Sequence, residues 1–205
     1  MKELILYGAG GHCYAVVELI RSLQHFQPKA IVDPNPKENS ILDIPVYSSE
    51  KDINSNAVVC IAIGDNSIRK KLAGRLHQDY PTFVHESVVR YPSVTIGKGT
   101  VVLPNVVLDA AVKVGDFCII NNSAVVSHNV TIQDYAHISI NASLAGGVTI
   151  GEGTLVGAGS IINPGLTIGK WVIIGSGAVV TKNVPDFAVV YGNPARIIRH
   201  TNNES

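Results

Sequence analysis

Little in this 205-residue sequence speaks for a disulfide framework, a zinc–thiolate site, a membrane span or a nucleic-acid surface. It has three cysteines, Cys13, Cys60 and Cys118, an odd number with no CxxC spacing. That argues against paired disulfides and makes a reducing cytoplasm the expected compartment. Lysine plus arginine equals aspartate plus glutamate at 16 each, so the formal net charge is zero and no broad basic face exists for nucleic acid or anionic lipid. Charged residues make up only 16% against 46% hydrophobic ones, which excludes a disordered chain. The opening MKELILYGAGGH has an apolar run too short for a signal peptide, and no run approaches the ~18 apolar residues of a membrane helix.

The residues present follow two grammars. The first eighty alternate strand and helix signals. Residues 4–7 are a short apolar run before a glycine turn at 8–11, and 12–23 carry Val16, Val17, Leu19, Ile20 and Leu23 at helical spacing. Residues 29–32 read as a second strand ending at Asp33, and 57–63 (AVVCIAI) as a buried strand of a parallel sheet. Residues 67–76 read as a helix, and 82–84 as a strand closing the unit. The alternation predicts a small Rossmann-like α/β domain over 1–83.

From Ile96 onward every sixth residue is Ile, Leu or Val, fifteen in succession to Val180. The position four later is restricted too, from Thr100 and Val106 to Val172 and Ala178. A period of six fits neither a helix nor a hairpin meander. It predicts a left-handed parallel β-helix of hexapeptide repeats over 84–184, with three hexapeptides per triangular coil. Residues eighteen apart then stack at roughly 4.8 Å. The period breaks over 185–205, read as a capping segment and tail. Outward positions carry little charge in AVVSHN, ISINAS, LAGGVT and VGAGSI, which predicts a homo-oligomer, a trimer of parallel prisms.

Two imidazoles stand within the repeats, His128 in SHN and His137 in AHISI. His12, His25, His77 and His85 lie outside them, so the three converging ligands of a metal-dependent hydratase are missing and no metal is expected. In GAGGHC, Cys13 stands where the third glycine of GxGxxG belongs, which weighs against an NAD-dependent oxidoreductase.

The uninterrupted repeat ending in VVTKNV and YGNPARIIR resembles the hexapeptide-repeat acyltransferases. The start ILYGAGGH, with AIVD and AIGDNSIRKK, is similar to their bacterial sugar acetyltransferase branch, typified by PglD and NeuD. The resemblance covers nearly the whole chain. It implies an acetyl-CoA-dependent N-acetyltransferase acting on a nucleotide-linked amino-deoxy sugar by direct transfer, with acetyl-CoA as co-substrate. It also implies sites between the subunits of a homotrimer.

Such chemistry needs a base for the attacking nitrogen and a donor for the oxyanion. An imidazole suits the first and backbone N–H groups the second. His128 matches the family's general base. Asn129 stands where the family often has a glutamate, so either its amide or a carboxylate from Asp109 or Asp134 must orient the ring. His137 matches the histidine that contacts the acetyl carbonyl or pantetheine. Asn121, with Asn122 as a second candidate, matches the asparagine that positions the sugar. Gly146 and Gly147 leave a bare wall for the pantetheine. Gly157, Gly175 and Ser176 are read as lining the same channel, and Lys182 and Arg196 as meeting the coenzyme's phosphates. In the first domain Gly8, Gly10, Gly11 and His12 are expected to receive the diphosphate. Asp33, Gly64, Asp65, Asn66 and Arg69, at strand ends, are expected to face the nucleotide sugar. Two alternatives stay open: O-acetylation of a sugar hydroxyl, which needs a stronger base, and a non-catalytic β-helix scaffold.

Overall fold

The computed structural model describes residues 2–50, 57–76 and 78–201; His77 and the last four residues of the expected tail lie outside them. The N-terminal lobe comprises β1 (Lys2–Tyr7), α1 (Gly11–Ser22), β2 (Phe26–Val32), β3 (Ser40–Ile41), β4 (Ile44–Tyr47), β5 (Val58–Ile61) and α2 (Asn66–Arg75). Its sheet order is β3-β4-β2-β1-β5, parallel except for the β3–β4 hairpin. The hairpin was not expected from the sequence. Its turn residues, Leu42 and Asp43, adopt positive φ (48° and 64°) without the Asn-Gly chemistry that usually marks such a turn. The apolar stripe of α1, with Val16, Val17 and Ile20 fully buried, shares one core with Leu4, Leu6 and Ile31 of the sheet and with Phe83, Leu103 and Ile119 beyond it.

Seventeen two-residue strands follow, β6 (Phe83–Val84) through β22 (Val179–Val180), then β23 (Ala188–Gly192) and β24 (Ala195–His200). Each short strand pairs in parallel with the strand one coil on, so Val107 lies beside Val125 and Val125 beside Ser143, eighteen residues apart each time. The result is a three-faced parallel β-helix. The lobe-side face runs from Phe83–Val84 through Ile119–Ile120 and His137–Ile138 to the C-terminal hairpin. The second face runs from Val89–Arg90 through Val125–Val126 to Val179–Val180, and the third from Thr95–Ile96 through Thr131–Ile132 to Thr167–Ile168.

Every aliphatic of the six-residue frame from Val102 to Val180 is buried inside this column. Three hydroxyls are also buried and satisfied there; Ser160 donates to the Gly157 carbonyl at 2.7 Å. Thr100 and Thr154 donate to the Gly115 and Gly169 carbonyls at 2.8 and 2.7 Å and accept from the Cys118 and Val172 N–H groups. At each corner of a coil one residue takes the left-handed conformation, including Asn105 and Ser123 at one corner, Ala111 and Asn129 at the next, and Phe117 and Tyr135 at the third.

The strand expected to close the α/β unit is instead the first rung of the column, because Phe83–Val84 pairs with Val101–Val102. His85 therefore belongs to the first coil, its N–H donating to the Val102 carbonyl. Val84 and Arg90 fall in the six-residue frame. Arg90 is exposed at the open end of the stack, where no aliphatic is required. At the other end β23 adds in parallel to Ile173–Ile174, β24 folds back antiparallel, and Val184, Ala188 and Val190 complete the column's core. No helix among the described residues is long and apolar enough to cross a membrane.

One cation fixes the lobe to the column. Arg69 is the single buried residue of α2, 1% exposed. Its Nε donates to the Phe117 carbonyl (2.8 Å) and its Nη2 to the Tyr135 carbonyl (2.7 Å), on two successive coils. Its remaining donors reach the carbonyls of Ile63 and Gly64 and the Asn66 side chain. Burial lowers its pKa to about 10, still cationic at neutral pH. Arg69 is thus neither the surface helix residue nor the substrate contact weighed from the sequence. Replacing Arg69 by Ala would orphan carbonyls on both parts, with an expected loss of about 3 kcal/mol or more in chemical denaturation. Arg69→Lys, which keeps charge but not the fork, should recover only part of it. Equal midpoints for wild type and Arg69→Ala would contradict this role.

Candidate functional site

The loop after β1 is shaped by close approach. Gly8 has φ of 103°, and a Cβ there would fall 2.4 Å from the Ile63 side chain. Gly10 caps α1 without any side-chain hydrogen bond, and no atom lies within 4 Å of a Cβ built at Gly10 or Gly11. The helix start therefore offers open backbone donors to an anion. Asp33 braces this loop from within: Oδ2 accepts the Ala9 N–H at 2.8 Å and Oδ1 the Asn35 N–H at 2.9 Å. A cavity of about 590 Å³ lies at these strand ends, lined by Gly8, Asp33, Ser48 and Arg75 among others.

A larger cleft, about 1010 Å³, opens between α2 and the lobe-side face. Gly64, Asp65 and Asn66 line it on the lobe side, and His137, Leu155 and Ile173 on the column side. Asp65 is also the N-cap of α2, accepting from Ile68 N–H at 2.9 Å. Asn66 accepts from Arg69 and donates to the Gly153 carbonyl at 2.9 Å, so it latches lobe to column. The sequence reading missed Leu155, Trp171, Ile173 and Phe187 here. The stacking register contains the signal for two of them, since 155 and 173 lie one and two coils beyond His137.

Beside this cleft three predicted side chains converge. The His12 and His137 rings are 6.4 Å apart, and the Asn121 amide donates to His137 Nε2 at 3.3 Å. Burial first, then the nearby Arg69 charge, pushes the His12 pKa down to about 4. The same causes, with His12 added and a backbone hydrogen bond with Gly64 opposing, push His137 to about 3. Both imidazoles are therefore neutral at physiological pH. His137 already has partners for its ring. His12 Nε2 is buried with none, so it is the imidazole with an open valence for a ligand. Asn122 lends its backbone N–H to Asn121 Oδ1 at 2.9 Å.

His128 lies elsewhere, on the corner between the second and third faces, exposed and opposite the lobe-side face. Its ring covers Gly146, where a Cβ would fall 2.6 Å from both Cε1 and Nε2. His128 Nδ1–H donates to Asn129 Oδ1 at 2.9 Å, which leaves the Nε2 lone pair open. Asn129 sits at the left-handed corner position (φ 60°), a conformation asparagine tolerates well. Neither proposed carboxylate takes its place. Asp109 caps its neighbour Ala110 N–H at 2.7 Å, and Asp134, on a different corner, accepts from Asp116 N–H at 2.8 Å. The Gly147 N–H is spent on the His128 carbonyl (2.9 Å), whereas the Gly146 N–H has no acceptor among the described residues.

Lys182 stands on this same corner, in the column of His128, Gly146 and Pro164, three coils and so about 14 Å from His128. Ser176 is exposed on another corner, the one that carries Asn121. Gly157 and Gly175 are buried there, and a Cβ at 157 would strike the Ile174 carbonyl at 2.5 Å. The bare neighbours on that ridge are Gly159 and Gly177, which the sequence reading passed over. Arg196 lies on the exposed C-terminal hairpin, bonded to the Ala195 carbonyl. The predicted residues thus form two clusters on opposite sides of one column, His12–Asn121–His137 and His128–Asn129–Gly146–Lys182.

Two family descriptions match the chain: the PglD N-terminal domain over residues 3–76, and the bacterial transferase hexapeptide (six repeats) over 129–164 and 147–182. The UDP-N-acetylbacillosamine N-acetyltransferase of Bacillus subtilis (strain 168) is 36% identical over 112 residues, a stretch that spans about half of each protein, 50% of this chain and 52% of that one. Among solved structures, the acetyltransferase domain of PglB from Neisseria gonorrhoeae FA1090 superposes with a TM-score of 0.90 at 31% identity, covering 97% of this chain and 100% of that one. A perosamine N-acetyltransferase from Caulobacter crescentus, a mutant solved in complex with CoA and GDP-perosamine, gives 0.88 at 32% identity, covering 97% and 98%. Matched over nearly its full length by both structures, and by family descriptions in both of its parts, the chain belongs to the bacterial hexapeptide-repeat sugar acetyltransferases of the PglD/NeuD family.

Proposed function

We propose that this protein transfers the acetyl group of acetyl-CoA directly to the amino group of a nucleotide-linked amino-deoxy sugar, with His128 as general base. The observation that carries the reading is the His128 imidazole lying over bare Gly146 with Nδ1 held by Asn129 and Nε2 open. The acceptor nitrogen attacks the thioester carbonyl carbon and its proton passes to Nε2. Formation of the C–N bond gives a tetrahedral oxyanion, its collapse breaks the C–S bond, and the departing thiolate takes up that proton. The uncommitted Gly146 N–H is positioned beside the base to receive the oxyanion. Because an amide and not a carboxylate backs the ring, the acceptor must arrive as the free amine, which favours an amino group over a far less acidic hydroxyl. Relatives that act on such sugars support the substrate class. Three buried, unpaired cysteines suit a reducing compartment such as the cytoplasm.

A complete site on this reading draws on two protomers, since His128 faces away from His12, Asn121 and His137 of its own chain. The second face suits the required contact. Its outward residues are Val89, Val107, Val125, Ile161 and Val179, interrupted only by Ser143, and Val89 is 53% and Ile161 46% exposed. A homotrimer closed through this apolar stripe would bring one protomer's base to its neighbour's lobe.

His128→Ala should lower kcat by about 100-fold or more without altering the melting temperature. Near-wild-type turnover with saturating substrates would end the assignment. Mixing inactive His128→Ala protein with inactive His12→Ala protein should restore activity in hybrid trimers, because some sites then combine an intact base with an intact lobe. Hybrids that form yet stay inactive would refute the shared site. The neutral imidazoles also set a pH signature. The unfolded chain takes up protons on these two histidines near pH 6.5, and the native state only near 4 and 3. Their contribution to stability is therefore intact above about pH 6.5 and falls as the pH drops toward 4. The melting temperature should be lower at pH 5 than at pH 7, and the double variant His12→Gln/His137→Gln should flatten that slope; an unchanged slope would count against buried neutral imidazoles.

A further inference from the structure

Helix α2 is a wall between the two cavities. Ile68, Leu72 and Arg75 line the smaller one, Ser67, Lys70 and Gly74 the larger, and Lys71 lines both. Four cations lie on this helix, and three are committed. Arg69 is buried in carbonyl oxygens. Lys70 pairs with Glu152, its Nζ lying 5.9 and 5.4 Å from the Tyr135 and Trp171 ring centroids. Arg75 pairs with Glu50 at 2.6 Å. Lys71 is exposed and has no carboxylate partner among the described residues. The one charge left uncompensated on α2 therefore stands at the rim shared by a cavity at the glycine loop and a cleft that reaches His137.

We propose that Lys71 is a diphosphate-anchoring residue. The inference rests on the acetyltransferase reading, in which each substrate carries a diphosphate between two bulky ends. A nucleotide sugar seated with its nucleoside by Gly8 and Asp33 must pass its diphosphate over this rim for its sugar to approach His12 and His137. A coenzyme lying along Leu155 and Ile173 would bring its own diphosphate to the same rim from the other side. A lysine serves either as a point charge on a flexible stem, without the fixed fork of an arginine. Lys71 closes the AIGDNSIRKK stretch, but the sequence gives it no role, because KK in SIRKKLAGRL reads as an ordinary solvated helix face.

The test is titration calorimetry on the full-length protein at low ionic strength. Wild type, Lys71→Gln, Lys71→Arg and the charge control Lys113→Gln, on the third face, are each titrated with UDP, GDP and coenzyme A. Lys71→Gln should bind one of these at least about tenfold more weakly and with a shallower salt dependence, at an unchanged melting temperature. Lys71→Arg should retain most of the affinity and Lys113→Gln all of it. Weakening confined to a nucleoside diphosphate assigns the contact to the sugar nucleotide, and weakening confined to coenzyme A assigns it to the coenzyme. Wild-type affinity of Lys71→Gln for every ligand that wild type binds overturns the proposal. Failure of wild type itself to bind any of the three overturns the acetyltransferase reading, and the proposal falls with it.

Discussion

Stacking in register at eighteen residues is the constraint on which the rest of the structure depends. Each coil hands its backbone donors to the next, so a side chain's environment is set mainly by the residues one coil before and after it. Gly146 is bare because the His128 ring occupies the space of its Cβ. Gly153 is bare because the Trp171 ring does the same, a Cβ there falling 2.5 Å from the indole. Side chains one coil apart share their space, which is why a substitution at 146 bears on the His128 ring as directly as one at 128.

The two sides of the column hold their polar groups by opposite means. Against the lobe, Arg69 and two imidazoles are gathered away from water; neutral carbonyl oxygens satisfy Arg69 and the Asn121 amide serves His137, while His12 Nε2 is left open. Low polarity and a fixed positive charge keep those imidazoles unprotonated, so they offer hydrogen bonds of constant character. At the far corner His128 stands in the open with a single side-chain partner. One chain thus holds two buried, neutral imidazoles and one exposed imidazole in opposite environments.

Much of this was legible in the sequence, because a period of six has one economical solution in three dimensions. The buried aliphatics from Val102 to Val180 and the two histidines on the repeat followed from that period. The place of the strand at 82–84 did not, since Arg90 breaks the frame at an end coil and that strand reads as the last of the α/β unit. The β3–β4 hairpin escaped because Leu42 and Asp43 adopt positive φ without turn-forming residue types. Arg69 looked like one charge in a charged helix, and only the carbonyls of Phe117 and Tyr135, 48 and 66 residues away, make it a core residue. The clefts are formed by segments remote in sequence, and no local pattern encodes them.

The corner shared by His128 and Lys182 behaves as a graduated ruler. Its divisions are single coils, and intermediate lengths do not exist. Inserting or deleting eighteen residues between the two would change their separation by one strand spacing, about 4.8 Å, and keep both on the same edge. A gain of six or twelve would swing Lys182 to a different edge altogether. In a scaffold of this kind the reach from His128 to Lys182 can be retuned only in whole increments, so indels that keep both on one edge are quantised.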